Sequence, residues 1–180
     1  MRSGLIETDF CVIDTETAGG TWATFPSSFE LLFTGLRHGD FQAIYSGSSE
    51  SLDTLLNDLA DFDGPVVTFN GSGFDLPLLD HWANRILARP LEINLHYDLL
   101  DQITRASGHR ISLDRVCRYT FGEGKMDWDH RENAKVWTSE PAKLVAYNLV
   151  DLDLTHKLFL RVLQGLPLFL GDATVVLPQP

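Results

Sequence analysis

The sequence predicts an α/β protein in which a mixed sheet is flanked by helices. Three strand patterns come first in the chain, and strands and helices then alternate, giving five strand patterns in all. The first of them is apolar without alternation, which is typical of a strand buried on both faces. These observations favour a sheet with helices packed over it rather than a sandwich or a helical bundle.

The first 70 residues contain four strand patterns and one helix. Leucines at 52, 55, 56 and 59 follow the i, i+3, i+4, i+7 spacing of an amphipathic helix, which is predicted over residues 51–61 and ends in the turn "DFDGP". The second and third strands form a hairpin around Gly39-Asp40. The predicted strands are "FCVID" at 10–14, "FELLFTGLRHG" at 29–39, "FQAIYSG" at 41–47 and "VVTFN" at 66–70.

The chain after residue 70 is predominantly helical. A helix follows the fourth strand with Phe74, Leu78, Trp82 and Ile86 on one face, and Pro77 is tolerated because it falls in the first turn. The tail "GDATVVLPQP" is apolar enough to be a docking strand, but no residue in it decides this. The other predicted elements are a fifth strand at 93–99, helices at 99–106, 112–119 and 141–163, and an irregular loop at 122–137.

Length and composition predict one globular domain over residues 1–180, with a core at about 8–163 and a tail, 164–180, of unassigned role. No apolar run approaches the roughly 20 residues of a membrane-spanning helix, and "MRSGLIETDF" lacks the apolar core of a signal peptide. We therefore expect a cytoplasmic protein that does not enter a membrane. Cys11 and Cys117 suggest neither a disulfide framework nor a zinc site, so we expect buried thiols.

The net charge of −11 argues at first sight against a polyanionic partner. The acidic excess lies in residues 1–84, which hold 13 acids and 2 bases, whereas residues 85–180 hold 12 of each. Bases and aromatic residues alternate between positions 105 and 143, as a single strand requires for its phosphates and bases. A mixed solvated surface with ordinary core aromatics explains the same composition, and composition alone favours that explanation.

Two acids end the first strand pattern. Asp14 and Glu16 are two residues apart, so they point to the same side if the strand continues through Glu16. Their charges repel, and a cation relieves the repulsion; carboxylate oxygens suit magnesium or manganese better than zinc. A strand that simply leaves the core through a polar loop is the commoner explanation of an isolated pair of this kind.

A third acid follows the fourth strand. Asp75 lies in "FNGSGFDLPLL", where two glycines connect the strand end at Asn70 to the next helix. Aspartate is a preferred N-cap, and that role alone would explain it. The cap does not explain why Asp75, like Asp14 and Glu16, follows a buried strand, and sites in such sheets gather beyond strand ends.

A fourth acid lies in the last long helix, in "YNLVDLDLTHKLF". Asp151 falls one turn after Tyr147 and on the apolar stripe of Leu154, so it faces inward. Asp153 lies about 200° away around the helix and has Lys157 at i+4, an ordinary exposed ion pair. A core-facing aspartate costs several kcal/mol unless a charge or metal compensates it. We therefore expect Asp151 to be a metal ligand or a strongly paired group, with Tyr147 reaching the same point.

Three motifs in this order resemble the DEDDy branch of 3′-to-5′ exonucleases, which have a ribonuclease H-like fold. The motifs have the forms DxE, [YF]N-x3-FD-x-P-x-L and Y-x3-D, and here they are "DTE", "FNGSGFDLPLL" and "YNLVD". Between the last two, "SLDRVCRYTFGEGKMD" is similar to stand-alone proteins related to the exonuclease domain of family B DNA polymerases. The resemblance covers about residues 8–163.

The resemblance implies a ribonuclease H-like sheet, with three antiparallel strands followed by parallel ones. It also implies two divalent ions, Mg²⁺ or Mn²⁺, about 4 Å apart at the scissile phosphate. Asp14 would bridge both ions, Glu16 and Asp151 would complete the first, and Asp75 would serve the second. Tyr147 would orient or help to deprotonate the attacking water. The product would be a nucleoside 5′-monophosphate from a single-stranded 3′ end.

The same resemblance implies residues that bind the strand. Asn70 and Phe74 would border the terminal nucleotide, although Phe74 fits the core stripe of its helix equally well. Because the chain is acidic, a basic segment or a partner would have to hold the strand. The expected substrate-binding residues are Thr15, Asn70, Phe74, Arg115, Arg118 and Lys125.

Other functions are compatible with the same residues. A silent ribonuclease H-like module that binds nucleic acid or protein would be favoured by a missing carboxylate, and none is missing. A hydrolase of very short oligonucleotides could use the same site, whereas cleavage at internal positions is less typical of the tyrosine motif. The sequence leaves open DNA against RNA, the oligomeric state, and whether a polymerase, a helicase or another repair protein works beside this chain.

Overall fold

The computed structural model describes residues 9–180. The prediction that the N-terminal segment lacks a signal peptide, and the first residues of the expected domain, fall on positions 1–8 and lie outside the described residues. None of the helices within residues 9–180 has a stretch long and apolar enough to cross a membrane.

A mixed five-stranded sheet organises the protein, as predicted. The strand order is β3-β2-β1-β4-β5; the β1–β2 and β2–β3 pairs are antiparallel, and β4 and β5 run parallel to β1. The strands are β1 (Cys11–Gly19), β2 (Phe29–His38), β3 (Phe41–Ser46), β4 (Val66–Thr68) and β5 (His96–Asp98). Antiparallel pairing over the first three strands followed by parallel pairing matches the expected topology.

Helices cover both faces of this sheet. The first two, α1 and α2, pack on one face, and α6 packs with α3 and α4 on the other. The helices are α1 (Ser49–Ala60), α2 (Asp75–Leu87), α3 (Leu99–Ser107), α4 (Leu113–Phe121), α5 (Asn133–Ser139) and α6 (Pro141–Leu163). The central strand β1 is therefore buried on both sides, which explains its unbroken apolar run.

The alternation of β1 decides which face each of its side chains meets. Cys11 and Ile13 pack against α1 and α2, whereas Val12 packs against α6. By the same alternation Asp14 and Glu16 share the α6 side. The strand continues to Gly19, five residues beyond the predicted end, so both acids lie inside regular structure rather than on an exit loop.

The segment between α4 and α6 differs from the prediction of an irregular loop over 122–137. It contains a 3₁₀ turn, His130–Glu132, and the seven-residue α5. Trp137 packs on Phe33 with ring centroids 4.8 Å apart, so its aromatic ring belongs to the core. A helix of two turns is too short to show an apolar period, and the sequence therefore gave no sign of it.

The tail packs against the helices and adds no strand to the main sheet. Leu168–Phe169 (β6) and Thr174–Val175 (β7) pair antiparallel with each other. Leu168 and Val175 are buried in the cluster that contains Phe159 of α6. The Tyr97 hydroxyl donates to the Pro178 carbonyl at 2.6 Å, which fastens the tail to β5.

Candidate active site

Three of the four predicted acids lie together. Asp14, Glu16 and Asp151 each offer a carboxylate oxygen, and these oxygens lie within 4.8 Å of one another. β1 supplies the first two on its α6 side, and α6 supplies the third. These residues are far apart in the sequence. They meet because α6 packs on the side of β1 that Val12, Asp14 and Glu16 share.

Asp151 is buried and paired, as its position on the helix predicted. It is 2% exposed, and one carboxylate oxygen, Oδ2, forms an ion pair with Lys125 Nζ. Its other oxygen, Oδ1, is buried without a hydrogen-bond partner among the described residues. Asp153 faces outward and pairs with Lys157 at 2.9 Å, which confirms the predicted i+4 pair, and also with Arg37 at 2.7 Å.

Asp75 does not cap its helix. Phe74 occupies the N-cap position without a side-chain cap, and Asp75 is the first helical residue. Its Oδ1 accepts a hydrogen bond from the Thr15 backbone N–H at 2.8 Å. The parallel β1–β4 pairing includes only Cys11 and Val12, so this carboxylate satisfies a β1 amide beyond the end of that pairing.

Burial raises the pKa of all four carboxyl groups. The pKa of Asp14 lies well above its ordinary value because of desolvation and then the nearby Asp75, Asp151 and Glu16 charges. Desolvation raises the pKa of Glu16 to about 8 and that of Asp75 to about 7. Desolvation also raises the pKa of Asp151, although Lys125 opposes the shift. Full ionisation at neutral pH therefore requires additional positive charge.

The donor set fits a hard divalent cation. Carboxylate oxygens are the ligands that Mg²⁺ and Mn²⁺ prefer. A buried oxygen that lacks a partner, such as Asp151 Oδ1, is an open coordination position beside the Asp14 and Glu16 carboxylates. The Asp14, Glu16 and Asp151 cluster could therefore hold a metal ion, and Asp75, which is bonded to the Thr15 amide, lines the same cavity.

Tyr147 lies beneath this cluster. It is 2% exposed, and its ring stacks on Trp128 with centroids 5.0 Å apart. Lys125 Nζ lies 5.1 Å from the centroid of the Tyr147 ring. Desolvation, and then the Asp151 charge, raises the pKa of the Tyr147 phenol, so its hydroxyl keeps the proton at neutral pH.

Two buried asparagines, which the sequence analysis missed, hold the carboxylates. Asn148 Nδ2 donates to Asp14 Oδ2 at 2.7 Å. Asn133 Nδ2 donates to Glu16 Oε2 at 3.1 Å. Asn148 could have been found, because it follows Tyr147 and lies three residues before Asp151 on the same helix face. Asn133 could not, since it lies in the segment predicted as a loop.

Gly35 makes room for Asn148. Gly35 pairs with Asp14 across β1 and β2. A Cβ atom at this position would lie 1.9 Å from Asn148 Oδ1, closer than any real contact. The hydrogen bond that orients Asp14 therefore depends on a residue without a side chain on the neighbouring strand.

Asp98 holds the loop between β4 and α2. Its carboxylate oxygens accept hydrogen bonds from the backbone N–H groups of Asn70 at 2.9 Å and Ser72 at 2.8 Å. Asn70 has a positive φ of 74°, a conformation that needs such support. β4 ends at Thr68, two residues earlier than predicted, so Asn70 belongs to this loop rather than to the strand.

Two cavities meet at the acidic cluster. A cavity of about 420 Å³ contains the four acids and an aromatic wall, and a cavity of about 430 Å³ extends from Asp14 toward α3 and α4. The wall is formed by Phe74, by Phe29 at 5.7 Å from the Phe74 ring, and by Trp22 at the same distance. Trp22 is 68% exposed, so this wall is open to solvent.

The predicted substrate-binding residues separate into two groups. Asn70 and Lys125 line both cavities, and Phe74 and Thr15 line the acidic one. The Thr15 hydroxyl is bonded to Thr34 at 3.2 Å, so Thr15 contributes mainly through its backbone. Two further predicted residues, Arg115 and Arg118, line neither cavity; Arg118 pairs with Asp114 at 2.9 Å, and Arg115 contacts Tyr119.

Comparison with known proteins adds evidence on the fold. No family model matches the chain, and a search of curated proteins finds no match. Among solved structures, the chain is similar to the family B DNA polymerase from the hyperthermophilic archaeon Pyrobaculum calidifontis, with a TM-score of 0.68 and 18% identity over 87% of this chain. The fold is ribonuclease H-like. The match spans only 25% of the polymerase chain.

Proposed function

We propose that this protein is a metal-dependent 3′-to-5′ exonuclease that acts on single-stranded nucleic acid and releases nucleoside 5′-monophosphates. The observation that carries the proposal is the convergence of four carboxylates, from β1, α2 and α6, on one cavity; three are buried and Asp14 is partly buried. The fold similarity to a family B DNA polymerase supports a nuclease rather than an unrelated metal-binding protein.

The metal-holding roles follow from the positions of the acids. Asp14, Glu16 and Asp151 would hold one divalent cation, and Asp75 with Asp14 would hold the second. When bound, such a pair of cations neutralises charge on a phosphodiester and lowers the pKa of water. Both Mg²⁺ and Mn²⁺ suit oxygen ligands, so either is expected to support activity.

The protein's own groups prepare the reaction in three ways. Asn148 and Asn133 fix the Asp14 and Glu16 carboxylates by hydrogen bonds, so they need not reorganise during turnover. Tyr147 keeps its proton, which supports a role in orienting the attacking water rather than in removing its proton. Lys125, the cation nearest Asp151, lies where it can also meet the substrate phosphate.

The surroundings of the acids favour a terminal nucleotide. The aromatic wall of Trp22, Phe29 and Phe74 offers ring faces for a base, a contact that tolerates any sequence. Asn70, whose backbone N–H is held by Asp98, lines both cavities and offers its side-chain amide. We propose that the 3′-terminal nucleotide lies against Phe74 and Asn70.

The test is digestion of 5′-labelled single-stranded DNA and RNA with Mg²⁺ or Mn²⁺. The wild type should give a ladder that shortens from the 3′ end, on one or both substrates. Asp151→Asn should reduce the rate by at least about a hundredfold because a ligand charge is lost. Asp153→Asn, two residues along the same helix and outside the cavities, should retain activity. Equal products from the wild type and Asp151→Asn, or 5′-labelled products of internal cuts that appear before any loss of the 3′-terminal nucleotide, would contradict the proposal.

A further inference from the structure

A second cavity, which extends from Asp14 toward α3 and α4, continues the candidate active site. Its volume of about 430 Å³ falls in the range of ligand pockets, about 300–1,000 Å³. It shares Asp14, Asn70 and Lys125 with the acidic cavity. Because the same side chains line both spaces, a strand with its terminal nucleotide in the acidic cavity can continue into the second one.

Arg110 is the cation available to a ligand in this second cavity. The always-charged cations among the residues that line the two cavities are Lys125 and Arg110, and Lys125 is engaged with Asp151. None of the ion pairs within residues 9–180 includes Arg110. Its Nη2 donates to Asn70 Oδ1 at 2.7 Å, and a guanidinium has five N–H donors, so donors remain for a phosphate.

The remaining surface of the cavity suits a nucleotide. Phe69, Ile111 and Leu113 line it and offer apolar surface for a sugar or a base. A strand whose scissile phosphate is neutralised at the carboxylate site still carries a negative charge at the next phosphate. In a chain with a net charge of −11, that second phosphate needs a local cation. Arg110 lines the cavity that adjoins the acids and can supply that cation.

We infer that Arg110 binds the phosphate on the 5′ side of the scissile bond and that the second cavity holds the nucleotides upstream of that bond. This inference rests on the proposed function and specifies part of its substrate: a strand of three or more nucleotides rather than a dinucleotide. Through its hydrogen bond to Asn70, Arg110 also links the upstream phosphate to the residue beside the terminal nucleotide. Arg110 acts in positioning, not in the chemical step.

The test compares Arg110→Gln with Arg85→Gln, which replaces an exposed arginine of α2 that lines neither cavity. Substrates are the oligothymidylates TpT, TpTpT and the hexamer, with oligouridylates as the RNA arm. TpT has no phosphate upstream of the scissile bond, so Arg110→Gln should affect its hydrolysis far less than that of the hexamer. On the hexamer the KM should rise about five- to tenfold with kcat retained. Equal KM values for the two variants on the hexamer, or an equal loss on TpT, would overturn the inference.

A binding measurement separates this inference from the proposed function. In an Asp14→Asn background, fluorescence anisotropy of 5′-fluorescein hexathymidylate, with hexauridylate as the RNA arm, reports affinity without turnover. Adding Arg110→Gln should weaken binding about five- to tenfold, and adding Arg85→Gln should not. The same loss of affinity in a protein that hydrolyses nothing would refute the exonuclease and retain the strand site. Hydrolysis from the 3′ end with no effect of Arg110→Gln would retain the exonuclease and refute the strand site.

The salt dependence distinguishes a phosphate contact from a structural effect through Asn70. Losing one phosphate contact on a single strand should lower the slope of log affinity against log salt by about 0.7. Arg110→Lys keeps the charge and should keep the slope. Asn70→Ala removes the hydrogen bond but leaves the guanidinium, so it should keep the slope as well. An unchanged slope in Arg110→Gln, or an equal reduction in Asn70→Ala, would contradict the phosphate contact.

Discussion

A single ammonium group, that of Lys125, lies among the buried carboxylates of the candidate site. Burial opposes its charge, but the Asp151 and Asp14 carboxylates outweigh that effect and hold the pKa of Lys125 above its ordinary value. Lys125 and a metal ion are therefore alternative counter-charges for the same Asp151 carboxylate. This relation links metal affinity to a residue that is not itself a metal ligand.

Replacing Lys125 by methionine should have opposite effects with and without metal. In the presence of a chelator the melting temperature should fall by about 4–8 °C, because a buried carboxylate loses its partner. The Mn²⁺ affinity, measured by calorimetry, should rise several-fold because no ammonium competes for Asp151. Lys157→Met, which removes a lysine from the exposed Glu123 and Asp153 pairs, is the matched control and should change neither quantity appreciably. Unchanged or weaker Mn²⁺ binding by Lys125→Met would contradict the competition.

At the scale of elements, the site depends on how closely β2 approaches α6. Gly35 of β2 leaves the space that Asn148 of α6 occupies, and Asn148 in turn holds Asp14. The absence of a side chain at Gly35 and the amide of Asn148 together fix β1, β2 and α6 around the Asp14 carboxylate. Such an arrangement tolerates little displacement, as densely packed interiors generally do.

A double-mutant cycle tests this packing. Gly35→Ala should lower the free energy of unfolding by about 1–3 kcal/mol because its methyl group overlaps the Asn148 amide. In an Asn148→Ala background the same change should cost less, since the overlapping atoms are gone and the mutations couple. Urea unfolding of the four proteins measures both values. Strictly additive costs would show that the two positions do not compete for one space.

The sequence predicted the order of elements better than it predicted the site's supporting residues. Apolar patterns identified all five strands of the sheet, and the helix angle correctly turned Asp151 inward and Asp153 outward. The polar residues after Ile13 suggested an early exit of β1, because local polarity does not reveal pairing with β2 through Gly19. Asn133 and Arg110 carry no local signal, since their roles depend on contacts across the chain with Glu16 and Asn70.

At the scale of the whole molecule, the clustered acids make stability depend on pH and metal together. The folded protein raises the pKa of Glu16 to about 8 and that of Asp75 to about 7, above their ordinary values of 4.5 and 3.8. The folded state therefore binds more protons than the unfolded state between those limits. By linkage, the unfolding free energy of the metal-free protein decreases as pH rises through this window.

Thermal unfolding in a chelator at pH 5.5 and pH 8 tests this direction. The melting temperature should be at least about 5 °C lower at pH 8, because buried carboxyl groups lose their protons there. Mn²⁺ in large excess over its dissociation constant should recover stability at pH 8, by about 2.7 kcal/mol at a hundredfold excess. The recovery should be much smaller at pH 5.5, where protons compete with the metal. A metal-free protein that is more stable at pH 8 than at pH 5.5 would contradict the assignment.

The bond between the Thr15 amide and Asp75 has a consequence for how the protein can vary in evolution. Asp75 accepts a hydrogen bond from the main-chain N–H of position 15, at the point where the β1–β4 pairing has ended. Every amino acid except proline supplies that N–H group. The main-chain link between β1 and α2 therefore survives a change of side chain at position 15, provided that the new side chain fits the buried space beside Thr34. Position 75, in contrast, must keep its carboxylate both for this bond and for the site.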